Sequence, residues 1–194
     1  HFMHFLELAD RVRGVPGDFV ECGVGRGYTT IMMAHIVRIR KLDRNIWGFD
    51  SFQGFPEPST QDVSERAPKK GDIFVDIRTV QERLRKYIAD DLFLHSRVTL
   101  VKGYFDETLP KTPLGSIALL HLDVDLYGSY KTCLEELYPK LAPGGIVTFD
   151  EYIREAYNFP GAKQAIEEFF TARPECKLER GPFGKYFVVK PPLS

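Results

Sequence analysis

Short apolar runs alternate along the chain with longer segments in which apolar residues recur every three or four positions. The short runs predict strands, because a run of this length bounded by turns is typical of a buried strand. They lie at 18–22, 46–49, 98–101, 117–122 and 146–149. The segments with helical spacing predict helices at 2–13, 28–40, 76–90, around 134–141 and around 165–170. Strands that alternate with helices predict a doubly wound α/β fold, in which helices cover both faces of a parallel sheet.

The carboxyl-terminal part of the chain predicts a hairpin. Two short strands, near 176–180 and 185–190, are joined by the sequence GPFG, which is typical of a tight turn. The hairpin adds one antiparallel strand to a mostly parallel sheet. Because the chain has 194 residues and no internal repeat, we predict a single domain over 1–194, which begins with an amino-terminal helix within 1–14.

A long segment without apolar periodicity, 51–71, follows the second predicted strand and is rich in proline, glycine and charge. Loops of this length inside a domain are usually functional lids or disordered segments. The segment lies on the edge of the sheet where ligands bind, so we predict a lid over the acceptor of a reaction. A disordered surface loop is the alternative.

Acidic residues stand at the ends of the predicted strands: Glu21, Asp50, Asp123 and Asp150. In open α/β sheets this edge is where ligands bind. Carboxylates gathered there repel one another unless a cation or hydroxyl donors lie among them. The pattern therefore predicts a ligand that is positively charged, rich in hydroxyls or a metal ion. Asp50, after the second strand, is placed to accept hydrogen bonds from a ribose; a surface turn is the alternative.

The sequence FVECGVGRG at 19–27 joins the first strand to the next helix. A dinucleotide-binding turn would have its third glycine where this chain has Tyr28, and a phosphate-binding loop would contain a lysine. Glu21 suits a cationic ligand better than a pyrophosphate. The glycines Gly23, Gly25 and Gly27 therefore either bind a nucleotide of another kind or only form a tight connection.

The sequence HLDVDLY at 121–127 carries Asp123 and Asp125, which would point to opposite sides of an extended chain. If the strand turns at its end, both reach the same site. The acidic pair Asp150 and Glu151 follows the neighbouring strand. These oxygen ligands favour Mg²⁺, with Mn²⁺ or Ca²⁺ as further candidates, over zinc. The alternative is that the acids cap helices, Asp125 above all.

Composition limits the class of partner. The net charge of −1 does not favour binding to nucleic acid, and the sequence has no apolar run long enough for a membrane helix. Three widely spaced cysteines predict neither a disulfide nor a zinc site and indicate a reducing compartment, so we expect a cytoplasmic protein. The apolar face of the helix at 2–13 suggests a possible homo-oligomer.

Several motifs together resemble the macrocin O-methyltransferase family: DFVECGVGRG, WGFDSFQGFPEP, VKGYFDETLP and the long segment from LHLDVDLYGS to the DEY at 150–152. The resemblance covers roughly 15–172. It implies a class I methyltransferase fold, Rossmann-like, with a seven-stranded sheet. It also implies Mg²⁺-dependent transfer of a methyl group from S-adenosyl-L-methionine to a hydroxyl of a small molecule, a sugar or a natural-product diol.

The resemblance also implies roles for individual residues. Asp123, Asp150 and Glu151 would be metal ligands, and Asp125 would act with Asp123 in catalysis, as the general base. The residues implied for the cofactor fall in three sets: Glu21, Gly23 and Gly25 for its methionine end; Asp50, Ser51 and Phe52 for its ribose; and Gly103, Tyr104 and Phe105 for its adenine.

The chain departs from the family pattern at three points. Glu151 stands where the family usually has a second aspartate, Val124 where glycine is common, and Tyr130 where threonine is frequent. These differences affect the geometry of metal coordination and the choice of acceptor more than methyl transfer itself. Two other functions stay open: a methyltransferase of this fold that needs no metal, and a non-catalytic module that binds the cofactor. The glycine spacing disfavours a nicotinamide dehydrogenase.

Overall fold

A seven-stranded sheet runs through the part of the chain that the computed structural model describes, residues 1–152 and 158–192. The strands are β1 (Asp18–Cys22), β2 (Ile46–Asp50), β3 (Val98–Lys102), β4 (Ile117–Leu122), β5 (Leu141–Phe149), β6 (Leu178–Arg180) and β7 (Tyr186–Val189). The helices are α1 (Phe2–Arg11), α2 (Tyr28–Ile39), α3 (Ile77–Ile88), α4 (Asp91–Arg97), α5 (Phe105–Thr108), α6 (Tyr127–Leu137) and α7 (Pro160–Thr171), with 3₁₀ turns at Thr60–Asp62 and Tyr138–Lys140. None of the helices in these two ranges is long and apolar enough to cross a membrane.

The strand order is β3-β2-β1-β4-β5-β7-β6, and β7 runs antiparallel to both of its neighbours. The other pairings, from β3 to β5, are parallel. All of β4 is buried, as expected for an apolar strand covered on both faces. Helices α1, α2 and α3 pack on one face and α6 and α7 on the other. The predicted doubly wound sheet with one antiparallel strand is confirmed.

Several predicted boundaries were wrong. The helix predicted around 134–141 ends at Leu137, and Leu141 already belongs to β5. The helix predicted at 76–90 ends at Ile88, where Ala89 adopts a left-handed conformation, and α4 then begins beside Asp90, whose carboxylate accepts a hydrogen bond from Phe93 N. The fifth strand begins at Leu141 and not at 146, because the backbone of Gly144 and Gly145 pairs with Lys190. Tertiary pairing therefore overrides the local signal for a turn in APGG.

The apolar face of α1 is covered by the chain itself. Phe5, Leu8, Ala9 and Val12 are buried in the core that α1 shares with α2. These four residues therefore belong to the core, whereas Phe2 and Met3 at the start of α1 are exposed, and the homo-oligomer stays a prediction.

The strands β1 and β4 are parallel, hydrogen-bonded neighbours at the point where the strand order changes direction: β2 and β3 lie beyond β1, and β5, β7 and β6 lie beyond β4. Single backbone bonds extend the pairing past the strand ends: Gly23 N donates to Phe49 O at 2.9 Å, Asp123 N to Cys22 O at 3.0 Å and Asp150 N to Leu122 O at 3.0 Å. The residues after each strand are thereby held side by side at the edge where α/β proteins bind ligands.

Gly23 is the tightest point of this edge. Its φ is +87°, and a Cβ added there would overlap the carbonyl oxygen of Asp123. We expect Gly23→Ala to lower the free energy of unfolding by about 3 kcal/mol or more, since it combines overpacking with a strained backbone. Denaturant unfolding measures this loss.

Gly128→Ala is the matched control, because an added Cβ at that position meets nothing within 4 Å and lies in α6. We expect that variant to be unchanged or slightly more stable. Equal stability of Gly23→Ala and the wild type would show that β1 and β4 do not need this close approach.

Candidate active site

A cavity of about 230 Å³ lies at the carboxyl ends of β1, β2 and β4. Most of the residues predicted for the site line it: Gly23, Gly25, Asp50, Ser51, Tyr104, Phe105, Asp123 and Asp125. The remaining lining comes from Gly54, Phe55, Pro56, Ile73, Val124 and Ser129. One cavity therefore borders the glycine turn, the start of the lid loop at 51–71 and the aspartates after β4.

The glycine turn is tightly packed at Gly27 and open to the cavity at Gly25. Gly27 begins α2 in a left-handed conformation, and a Cβ added there would come within 2.7 Å of Val80 Cγ1. Gly25 also has a positive φ of +50°, but an added Cβ would meet nothing within 4 Å, because this residue faces the cavity. Its missing side chain leaves room for a ligand to approach the backbone.

Asp50 ties the glycine turn to the lid loop. Its Oδ2 accepts a hydrogen bond from Gly25 N at 2.9 Å, and its Oδ1 accepts one from Phe52 N at 2.7 Å. Burial raises the pKa of this carboxyl. Each carboxylate oxygen has a further lone pair, so these bonds leave acceptor capacity for a ligand in the cavity.

Three residues predicted to bind the cofactor do not line the cavity. Glu21 is buried within β1, where Thr30 Oγ1 donates a hydrogen bond to it, and burial raises its pKa well above the ordinary value. Phe52 is buried in the core on the α2 side of the sheet. Gly103 donates its backbone N–H to Asp50 O at 3.0 Å. None of the three lies in the cavity lining, and their predicted contacts with the cofactor stay predictions.

The chain turns directly after β4, as the sequence requires if both aspartates are to meet. Asp125 has φ of +58°, a left-handed conformation that aspartate tolerates better than most residues. Carboxylate oxygens of Asp123, Asp125 and Glu151 consequently lie within 4.8 Å of one another. Asp125 is not the helix cap considered above: α6 has Leu126 as its N-cap, and the Tyr127 N–H of its first turn is bound by Asp62.

The carboxyl groups of this cluster lie in surroundings where a negative charge is unfavourable. Burial raises the pKa of Asp123 to about 6. Glu151 is buried as well, and its pKa is raised well above the ordinary value, first by burial and then by the charges of Asp123 and Asp125. The hydroxyl of Tyr130 donates a hydrogen bond to Glu151 Oε2, which fixes the side chain. Such a cluster is relieved by a bound cation.

Asp150 belongs to a second group of possible ligands, with Asp123 and His121. Lys185, from the turn before β7, forms an ion pair with its carboxylate and also donates to its backbone oxygen at 3.2 Å. His121 is buried, and its Nδ1 has no hydrogen-bond partner among the described residues. The predicted ligands Asp150 and Glu151 thus fall into different groups, and Asp123 is shared by both.

Sequence reasoning missed several residues of this site: Lys185, Asp62 and the contact between Tyr130 and Glu151. Lys185 lies beside Asp150 because the register of β7 pairs Tyr186 with Phe149, and the sequence analysis predicted the hairpin but not that register. No sequence signal connects Asp62 to α6, since the two lie 65 positions apart and the lid loop has no periodicity.

The donor set fits a hard divalent cation, because Asp123, Asp125 and Glu151 offer oxygen ligands and no thiolate lies among them. The neighbouring glycine turn and Asp50 line the same cavity. The arrangement can therefore hold a nucleoside-containing ligand on one side and a polar, metal-assisted reaction centre on the other.

The fold and the strand-end site define a protein of the class I O-methyltransferase type. The chain is similar to the solved O-methyltransferase NovP, with 30% identity, a TM-score of 0.83 and coverage of 98% of this chain and 79% of that one. It is equally similar to the calicheamicin methyltransferase CalS11, with 29% identity, a TM-score of 0.83 and coverage of 97% and 77%. A family model described as Macrocin-O-methyltransferase (TylF) matches residues 3–176. The chain belongs to the macrocin O-methyltransferase family.

Related proteins of known activity are also named as O-methyltransferases. The mycinamicin III 3''-O-methyltransferase of Micromonospora griseorubida is 33% identical over 178 residues, which cover 87% of this chain and 66% of the relative. The demethyldecarbamoylnovobiocin O-methyltransferase of Streptomyces niveus is 34% identical over 160 residues, which cover 80% and 58%. The chain thus spans about three fifths of the length of these relatives.

Proposed function

We propose that this chain transfers the methyl group of S-adenosyl-L-methionine to a hydroxyl of a small molecule, and that Mg²⁺ assists the transfer. One observation carries the proposal: Gly25 and Asp50 share a single cavity with Asp123 and Asp125. A cofactor seated against the glycine turn would have its reactive end beside the acids. Methyl transfer is an in-line displacement, so holding donor and acceptor in one cavity supplies much of the rate.

The residues on the β1–β2 side of the cavity hold the cofactor in this proposal. Gly25 leaves open backbone for its methionine end, and Asp50 keeps acceptor capacity for its ribose. Tyr104 and Phe105, at the start of α5, offer aromatic surface to the adenine. The acids across the cavity suit the positive charge of a sulfonium. Glu21, Ser51, Phe52 and Gly103 complete the set as predicted from the family.

Asp123, Asp150 and Glu151 are the residues that would hold Mg²⁺, supported by the position of Asp123 in both groups of candidate ligands. When bound, such an ion lowers the pKa of a hydroxyl in contact with it and orients it. Asp125 lies beside Asp123 and lines the cavity, and it receives the proton of the acceptor hydroxyl in this proposal. Tyr130 keeps Glu151 in place through its hydrogen bond.

A polyhydroxylated acceptor, a sugar or a natural-product diol, fits this chemistry because neighbouring hydroxyls suit a metal-assisted site. The names of the relatives, which refer to mycinamicin and novobiocin, support that class. A cytoplasmic setting is part of the proposal, supported by Cys22, Cys133 and Cys176, which are buried and unbridged.

A second candidate is a methyltransferase of the same fold that needs no metal. The ion pair between Lys185 and Asp150 favours it, because the ammonium already compensates one of the predicted metal ligands. The two candidates differ in whether Mg²⁺ binds at the strand-end acids. A non-catalytic module, the remaining alternative, would bind the cofactor and transfer no methyl group.

Asp125→Asn tests the role of Asp125. Asparagine keeps the size of the side chain and tolerates the left-handed backbone, so we expect the fold and cofactor affinity to be retained. Turnover should fall by about 10²-fold or more, because the proton acceptor is lost. Release of S-adenosylhomocysteine across a panel of polyhydroxylated acceptors with Mg²⁺ is the measurement. Asp43→Asn, which changes an exposed acid far from the cavity, is the control. Undiminished turnover in Asp125→Asn would remove Asp125 from the mechanism.

Lys185→Met tests whether the acids bind a metal. Removal of an ammonium that competes for Asp150 should raise the affinity for Mg²⁺ by roughly tenfold, as measured by calorimetric titration. Lys177→Met is the matched control, because Lys177 is an exposed lysine just before β6. Lower affinity in Lys185→Met would contradict the competition. Absence of Mg²⁺ binding in all three proteins would favour the metal-independent enzyme.

A further inference from the structure

Asp62 is a buried acid in the lid loop whose two carboxylate oxygens face in different directions. Its Oδ2 accepts hydrogen bonds from Ser59 N at 2.8 Å and Ser59 Oγ at 2.6 Å, which close the 3₁₀ turn of the loop. Its Oδ1 accepts a hydrogen bond from Tyr127 N at 2.8 Å, in the first turn of α6. One side chain therefore joins the loop to a helix 65 positions further along the chain.

The carboxylate sits at the amino-terminal ends of two helices. The N-cap residue of α6, Leu126, gives no side-chain cap, so Asp62 takes that role from outside the helix. In the first turn of α7, Gly161 lies so close that an added Cβ would overlap Asp62 Oδ1. Unsatisfied N–H groups and the helix dipole make such ends favourable for a negative charge.

Both helices come after parts of the proposed reaction centre in the sequence, α6 immediately and α7 from Pro160 onward. Tyr127, which Asp62 binds, is two residues after Asp125 in the left-handed turn. Helix α7 is the next described helix after β5, whose end carries Asp150 and Glu151. A contact made at Asp62 is therefore close to the turn that sets the position of Asp125.

Further contacts fasten the same loop to the residues before α7. Ser64 Oγ donates to Asn158 O at 2.8 Å. The guanidinium of Arg66 lies 4.7 Å from the ring centre of Phe159 and 5.5 Å from that of Phe55. Phe55 lines the cavity, so the docked loop is part of the cavity wall.

We propose that Asp62 is a positioning residue that couples the lid loop to the turn carrying Asp125, so that the cavity wall and this acid move as one unit. Asp62 is not among the residues that line the cavity, and in this proposal it acts through Tyr127 N. The coupling exists in the free protein; only its consequence for methyl transfer rests on the proposed function.

Hydrogen–deuterium exchange of the wild type and of Asp62→Ala, each with and without S-adenosylmethionine, tests this inference. Without cofactor, exchange of the first-turn amides of α6 and of 59–67 should rise together by about tenfold in Asp62→Ala, because one side chain caps both. With cofactor, the wild type should gain protection at 59–67 as well as at 23–30, whereas Asp62→Ala should gain it at 23–30 only.

Asp72→Ala is the matched control, since Asp72 is an acid just after the loop that binds Lys69 N and Arg66 but not α6. Exchange in α6 should not change in this variant. Unaltered α6 exchange in Asp62→Ala, or the same rise in Asp72→Ala, would overturn the proposal. If the cofactor protects no segment of the wild type, the proposed function is refuted. The exchange of the wild type and of Asp62→Ala without cofactor then still decides the role of Asp62.

Asp62→Asn provides a second test in case Asp62→Ala does not fold. The amide has the same size, but its nitrogen cannot accept a hydrogen bond from a backbone N–H, so the bonds from Ser59 N and Tyr127 N cannot both persist. We expect a rise in exchange either at α6 or at 59–67, together with loss of the cofactor-induced protection at 59–67. Retained protection at both segments would contradict the coupling.

Discussion

Carboxylates from two adjacent strands converge at one edge of the sheet, in surroundings where burial opposes their charge. Burial raises the pKa of Asp123 to about 6, and burial and the neighbouring carboxylates raise the pKa of Glu151 well above its ordinary value. Several features around them serve to hold this cluster: the Tyr130 hydroxyl on Glu151, the Lys185 ammonium on Asp150 and the left-handed turn at Asp125. Groups kept in such an unfavourable state are more often found at reaction centres than in structural cores.

The parallel sheet makes this convergence possible. The strands β1, β4 and β5 end side by side, and Gly23 lets the backbone of β1 pass close to Asp123. The same glycine-containing turn leaves Gly25 open toward the cavity. The edge therefore brings the glycine turn, Asp50 and the aspartates after β4 to one cavity, which is the arrangement on which the proposed methyl transfer depends.

Much of this was predictable from local patterns. Apolar runs and turn residues predict the strands up to β4, the acids at their ends and the carboxyl-terminal hairpin. The turn after β4 was expected if Asp123 and Asp125 were to meet. Contacts that depend on distant partners were not predictable. The pairing of Gly144 with Lys190 lengthens β5 against its local turn signal, and Asp62 binds α6 from a loop without periodicity. The burial of the α1 face was also invisible, because an amphipathic pattern does not say which surface covers it.

Calorimetric titration of S-adenosylmethionine, with and without Mg²⁺, tests most directly that this cavity holds a methyl donor. We expect binding to the wild type and to Asp43→Ala, which removes an exposed acid, and loss of binding in Asp50→Ala at unchanged secondary structure. Asp50 is chosen because it contacts both Gly25 and Phe52 at the cavity wall. No binding to the wild type, or equal binding to Asp50→Ala, would contradict the assignment of the cavity to the cofactor.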